Sequence, residues 1–289
     1  MSGFFQRQRS GSVVCPACGK LVGVNDATCF HCGRRSPGMW GYGKLLRSLA
    51  GGVGVSEVVV FGCGGLYLLA LVLDLQGIRM QGALSFLAPS PRSLDLLGWS
   101  GAVPVLRDGR WYTLLSAGWL HGGLIHILFN MLWVRQLAPA ATAVYGAGRT
   151  LILYVAASVA GFALSVVGFI VGVQIGILGM LMGRATYTVG ASAAVFGLLG
   201  ALVYAGRRGV GLQLGRQAWS YAVILFVFGL VFPGVDNWAH LGGFAGGYLL
   251  AAWFNPLRPE RPDHLLGGLA ALALTALAVV MSVVRGLTG

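Results

Sequence analysis

Residues 236–247 read Asp236-Asn237-Trp238-Ala239-His240-Leu241-Gly242-Gly243-Phe244-Ala245-Gly246-Gly247, opening an apolar run that continues to about residue 254. Its length and composition suit a helix inside a lipid bilayer, which needs about 20 apolar residues to cross. A histidine within such a run is costly to bury and marks function by default. Gly243 and Gly247 follow His240 at i+3 and i+7, so the three share one stripe, and small residues on a stripe let another helix approach closely. The stretch therefore predicts a membrane helix with His240 pressed against a neighbour.

Six further apolar runs lie outward from this one, at about 57–75, 113–137, 150–172, 189–206, 217–233 and 265–284. The chain of 289 residues is 56% hydrophobic and 10% charged, with a mean hydropathy of +0.78. A soluble domain carries about a quarter charged residues, so this chain has too little polar surface for water and is read as an integral membrane protein. Between the first two runs, the segment from Gln76 to Tyr112 is amphiphilic and suits a loop at the membrane interface. The glycine-rich stretch from Gly172 to Thr188 either extends the third span or re-enters the bilayer.

The net charge of +12 invites a nucleic-acid reading, but no basic face with interleaved aromatics lies outside the spans, so none is expected. In a membrane chain, Lys and Arg report the cytosolic side instead. With the N-terminus inside, seven fall in the head and linker and seven in later inside loops, leaving six of the 20 outside. The N-terminus is predicted to be cytosolic, with no cleavable signal segment ahead of it.

Cys15-Pro-Ala-Cys18 and Cys29-Phe-His-Cys32 are two knuckles, each followed by glycine. Two residues between thiolates turn both sulfurs toward one ion, and two such turns complete a closed tetrahedral site. The expectation is a structural Zn2+ held by Cys15, Cys18, Cys29 and Cys32, with His31 the alternative ligand. A redox dithiol lacks its usual βαβ surroundings. The fifth cysteine, Cys63, reads as a small buried hydrophobe. A Gly/Ser-rich linker follows the head and is expected to separate it mechanically from the spans.

Two more spans carry strongly polar residues. The second contains His121, His126 and Asn130; on a helical wheel His126 and Asn130 lie about 40° apart, while His121 lies roughly 140° from His126. The fourth opens Thr188-Val189-Gly190-Ala191-Ser192-Ala193. Ser192 and His240 each sit about four residues past a polar span start, on helices running the same way, so a nucleophile and a base share one depth. Taken singly, a membrane serine bonds its own backbone and a membrane histidine is structural glue; together they point to chemistry. Neither glutamate and none of the six aspartates lies deep in a span, which excludes metalloprotease and aspartyl protease chemistry and disfavours a transporter built on buried acids.

These residues resemble the rhomboid family: its His-x₄-His-x₃-Asn motif at His121, His126 and Asn130, its Gly-x-Ser-Gly motif at Gly190 and Ser192, and its Ala-His-x₂-Gly-x₃-Gly motif at Ala239, His240, Gly243 and Gly247. The resemblance implies an all-α polytopic membrane protein: a rhomboid-like six-helix bundle with a seventh transmembrane helix after it and the zinc ribbon before it. The expected organisation is a cytosolic four-cysteine zinc ribbon at 1–35, a flexible linker at 36–56, the protease core at 57–254, and a loop with the seventh helix at 255–289. It further implies a serine endopeptidase in which Ser192 attacks, His240 is the base, and His126, Asn130 and the Ser192 N–H stabilise the oxyanion, with no cofactor needed for catalysis. Phe196 matches the aromatic that packs on the catalytic histidine. The implied substrates are single-span membrane proteins in the lipid bilayer, with the ribbon free to meet a cytosolic partner. The implied location is a bacterial plasma membrane, the active site opening to the outer face. Two departures stand out: Ala193 replaces the motif's second glycine, and Arg110-Trp111 replaces Trp-Arg in the first loop. An inactive relative that binds membrane clients is the alternative reading.

Overall fold

The seven apolar runs each carry one long helix in a computed structural model, which describes residues 7–42, 54–80, 82, 86–232 and 234–288. They are α1 (Val55–Leu73), α2 (Leu124–Tyr145), α3 (Ala147–Gln174), α4 (Ser192–Arg207), α5 (Leu212–Val231), α6 (Asn237–Phe254) and α7 (Pro262–Thr288). Among the described residues, α1, α3, α5 and α7 are each long and apolar enough to cross a membrane, and α2 joined to the short helix before it makes a fifth candidate. Helix α4 has only 16 residues, a rise of about 24 Å against a hydrocarbon layer of about 30 Å. It can be short because protein covers it. Residues 193–203 are all buried, enclosed by α2, α3, α5 and α6.

Glycine sets how closely these helices meet. A methyl group at Gly243 would collide with the Ala193 carbonyl, and one at Gly247 with the Gly197 carbonyl, so α6 lies backbone against backbone on α4. A second stripe on α6, Gly242 and Gly246, faces α3, where a methyl would lie 2.7 Å from the Cβ atoms of Leu164 and Ala160 respectively.

The run read as 113–137 is not one straight span. A short helix, Thr113–Ser116, continues through one 3-10 turn to Trp119, and the chain then bends by 91° before α2 begins at Leu124. Gly122 and Gly123 fill the break; Gly123 is fully extended at φ 170°. The stretch 172–188 extends α3 only as far as Gln174; a short helix, Gly176–Met182, then packs back on α3, and Thr188 pairs with Ser100.

The first loop is ordered by its own caps. Ser90 Oγ accepts the Ser93 N–H to start the helix Pro91–Leu97, which Gly98 ends at φ 96°. Arg110 is buried and donates to the Asp95 carboxylate and, at 2.7 Å, to the Asp95 carbonyl. The departure at Arg110-Trp111 therefore keeps a loop anchor. Helix α7 covers this loop: Arg285 donates to the Asp108 carbonyl at 2.8 Å, and Gly286 faces Leu96.

In the head, β1 (Ser12–Val14) pairs antiparallel with β2 (Leu21–Gly23), Val13 opposite Val22. Gly19 and Gly33 both adopt φ +73°, and each donates back to the first cysteine of its knuckle, which explains the glycine after each pair. Of the expected linker 36–56, residues 43–53 lie outside the described residues. The expected mechanical separation is corrected by a contact that bypasses it: the Arg34 guanidinium forks onto the Asp263 carboxylate at 2.7 and 2.8 Å, tying the head to the start of α7. Beside it, buried Arg149 at the start of α3 donates to the carbonyls of Arg258 and Pro259 and to His264, fixing the α6–α7 connection.

Candidate active site

Ser192 is the first residue of α4, at the end of the bundle away from the head, and is partly exposed. The turn before it needs glycine twice over. Gly190 has φ +134°, and a methyl there would sit 2.7 Å from His126 Nε2, with Ser192 Oγ 3.8 Å from the same point. So His126 and Ser192 converge on the space that Gly190 leaves open.

His126 has a defined tautomer. Its Nδ1 accepts the Gly122 N–H at 3.3 Å, which puts the ring proton on Nε2, the nitrogen facing Gly190. Asn130, one turn along α2 and buried, donates one amide hydrogen to the His126 carbonyl at 2.9 Å and keeps the other. The expectation that His121 faces away fails, because residue 121 precedes α2 and helical angles do not apply across the Gly122–Gly123 break. Its ring packs edge-on to His126 with centroids 5.2 Å apart, and both its nitrogens are buried without partners.

His240 is the fourth residue of α6 and is buried, its ring stacked on Phe196 of α4 with centroids 4.2 Å apart and planes 13° off parallel. Its Nδ1 has no hydrogen-bond partner, so among the described residues no carboxylate orients it. The acid on the same helix is engaged elsewhere: Asp236 accepts from Ser165 Oγ and from the Ala239 N–H at 3.1 Å, capping α6. That cap was not singled out from the sequence, although an Asp just ahead of a helix signals one.

The methyl group of Ala193 is fully buried with Ala117, Phe162 and Ala239. Room for it comes from Gly161 on α3, where a methyl would approach the Ala193 Cβ to 2.7 Å. The departure from the motif is thus absorbed across the α3–α4 contact, away from the Ser192 hydroxyl.

The four head cysteines form a separate candidate metal centre. Their sulfurs all lie within 4.8 Å of one another, close enough to hold a metal ion, with Cys15–Cys32 at 3.8 Å and Cys18–Cys29 at 3.7 Å. A tetrahedron with Zn–S bonds of about 2.3 Å has edges of roughly 3.8 Å, so the set fits zinc. At Cys15 burial raises the thiol pKa, but the N–H groups of Ala17 and Cys18 and the neighbouring thiols outweigh it and bring it down to about 7. At Cys32 the Arg34 N–H pulls downward, yet burial and the other three cysteines push it up to about 12. His31 is not in the cluster.

Comparison with known proteins bears on the half of the chain that holds this site. The family model of the Rhomboid domain matches residues 108–256. RHOMBOID-like protein 4 of Arabidopsis thaliana is 36% identical over 57% of this chain and 39% of its own length. Rhomboid protease GluP of Bacillus subtilis is 32% identical over 61% of this chain and 32% of its own. Rhomboid-like protease 5 of Toxoplasma gondii is 33% identical over 60% of this chain and 20% of its own. The chain thus spans well under half the length of each of these relatives.

Proposed function

The chain belongs to the rhomboid family, and on that premise we propose that it is an intramembrane serine endopeptidase cutting the transmembrane segments of single-span membrane proteins. The observation that carries the reading is the convergence of Ser192 Oγ and the proton-bearing His126 Nε2 on the space beside Gly190, with His240 held against α4 by Phe196.

Ser192 Oγ attacks the scissile carbonyl carbon while His240 takes its proton. The carbonyl oxygen becomes an oxyanion that accepts from His126 Nε2–H, the free Asn130 amide hydrogen and the Ser192 N–H, at the positive end of the α4 dipole. The tetrahedral intermediate collapses, the C–N bond breaks, and His240 returns the proton to the leaving amine. Water, deprotonated by His240, then hydrolyses the acyl-enzyme and restores Ser192. Stacking on Phe196 does the orienting that an aspartate does in a triad. The room that Gly161 leaves for the Ala193 methyl supports this reading over that of an inactive client-binding protein.

In this reading residues 1–35 are the zinc ribbon, 36–56 a linker, 57–254 the protease core and 255–289 a loop with the added helix. Zn2+ on Cys15, Cys18, Cys29 and Cys32 is structural, since four thiolates leave no open position for chemistry. The head sits in the cytosol, where a cytosolic partner could meet it, and the active site opens to the outer face of a plasma membrane, as the distribution of arginines favours.

The test is cleavage of a single-span reporter by purified full-length protein in proteoliposomes. Ser192→Ala and His240→Ala should each abolish it while the folded protein is still recovered; cleavage retained by either variant refutes the dyad.

A further inference from the structure

A cavity of about 470 Å³ opens at the serine end of the bundle. His126, Val189 and Asp236 lie toward its floor, and Arg79, Arg184 and Tyr187 line it from the loops. The charges in it are not balanced. Both Asp236 oxygens are turned to Ser165 and Ala239. Arg184 is exposed and, among the described residues, makes no hydrogen bond or ion pair; Arg79 reaches only the Pro89 carbonyl, at 3.4 Å. Of the other arginines at this end, Arg110 is engaged with Asp95, Arg107 with Asp108 and Arg285 with the Asp108 carbonyl, while Arg92 is exposed and outside the cavity lining.

Arg184 is also placed rather than loose. Methyl groups at Gly172 and Gly179 would approach its stem to 3.1 and 2.9 Å, so these two glycines leave the channel the stem occupies. Trp99 and Tyr187, stacked with centroids 4.2 Å apart, wall the same cavity. A cavity next to Val189 and His126, lined by two guanidinium groups that among the described residues have no carboxylate partner, and by one carboxylate already bonded to Ser165 and Ala239, is complementary to an anion on the chain that enters it.

Resting on the protease reading above, we propose that Arg79 and Arg184 are specificity-determining residues that select substrates carrying Asp or Glu in the few residues outside the membrane next to the scissile segment. Each partly exposed pair is worth a small factor, so the two together give about a threefold to tenfold preference. The preference is electrostatic and weakens with salt.

The experiment uses three single-span reporters that differ only in carrying Glu, Gln or Lys at the juxtamembrane positions, with full-length protein in vesicles of neutral phosphatidylcholine. kcat/KM should fall in the order Glu, Gln, Lys. Arg184→Glu and Arg79→Glu should each flatten the order, and the double variant should reverse it; the gain on the Lys reporter shows that the variant is folded. An order unchanged in the double variant overturns the proposal, as does equal cleavage of all three reporters. Equilibrium binding of the same reporters to Ser192→Ala separates this from the parent reading: binding in the order Glu, Gln, Lys without cleavage by the parent chain sinks the protease and upholds the surface. Equal binding, or binding of none, sinks the surface. If the arginines instead serve lipid phosphates, the reporters show no order and Arg184→Glu lowers retention of anionic phospholipid, which also overturns the proposal.

Discussion

The rings of Phe196 and His240 lie nearly parallel, 4.2 Å apart, and join the helix that carries Ser192 to the helix that carries the proposed base. With the ring's Nδ1 unpartnered, this stack does the orienting. Phe196→Leu keeps an apolar side chain at the site and loses the flat face. An aromatic stack of this kind contributes about 0.5–1.5 kcal/mol, so turnover should drop by roughly twofold to tenfold. The loss should appear in kcat with KM little changed, measured on a reporter in proteoliposomes; an unchanged kcat would remove Phe196 from the mechanism.

His126→Ala and Asn130→Ala should each lower kcat by about 10²–10³, the usual cost of one oxyanion donor. Both variants should still insert in the membrane. If turnover survives both changes, the pair is helix glue and the oxyanion assignment is withdrawn. His121→Ala should act more on melting temperature than on turnover, since its contact with the site is the flank of the His126 ring.

Gly161 and Ala193 should behave as a coupled pair. Gly161→Ala places a methyl 2.7 Å from the Ala193 Cβ and 2.6 Å from the Ala239 carbonyl. Such overpacking costs about 1–3 kcal/mol. Adding Ala193→Gly should recover part of the loss, leaving the backbone clash. A double-mutant cycle in thermal stability checks this, and strict additivity would contradict the packing described.

The purified protein should carry about one zinc per chain, lost when the four head cysteines become serine. Thiolates bind the metal, so with Cys32 at about 12 and Cys15 at about 7 the metal-free head holds protons at neutral pH that zinc must displace. Affinity therefore rises with pH and falls as pH drops below about 7, where Cys15 protonates as well. Zinc retention titrated against a chelator from about pH 5 to 9 measures the trend; a flat profile would contradict thiolate ligation.

A chain beginning near Ser56 should still cut a reporter in detergent, because no span residue depends on the metal. It loses Arg34, however, and leaves Asp263 paired with Arg261 alone. The cost should be about 1 kcal/mol or less of stability, given the partial exposure of both partners. Arg34→Ala in the full chain should reproduce that loss. If it does not, the fork contributes nothing measurable.

The seven runs were legible because bilayer thickness imposes a length that composition alone reveals. The cysteine cluster was legible because ligand spacing is local. His121 was misread because the helical wheel was carried across Gly122 and Gly123, where no helix exists. The lock around Arg149 and the fork from Arg34 join residues more than 100 apart in sequence, and a charge count reads such arginines only as topology markers. The glycines of α6 were read as one stripe; the second, Gly242 and Gly246, became visible only once α3 lay against it.

The seam between α4 and α6 is made of main chain on main chain, with Gly243 under the Ala193 carbonyl and Gly247 under that of Gly197. At those two crossings no rotamer can turn to widen or narrow the gap. The separation of the two helices bearing serine and histidine is therefore a fixed gauge, like the shim in a bearing, and thermal jostling of side chains leaves it alone. Any gate that admits a substrate helix has to swing on a different hinge. A residue larger than glycine at 243 or 247 would part the helices that carry Ser192 and His240.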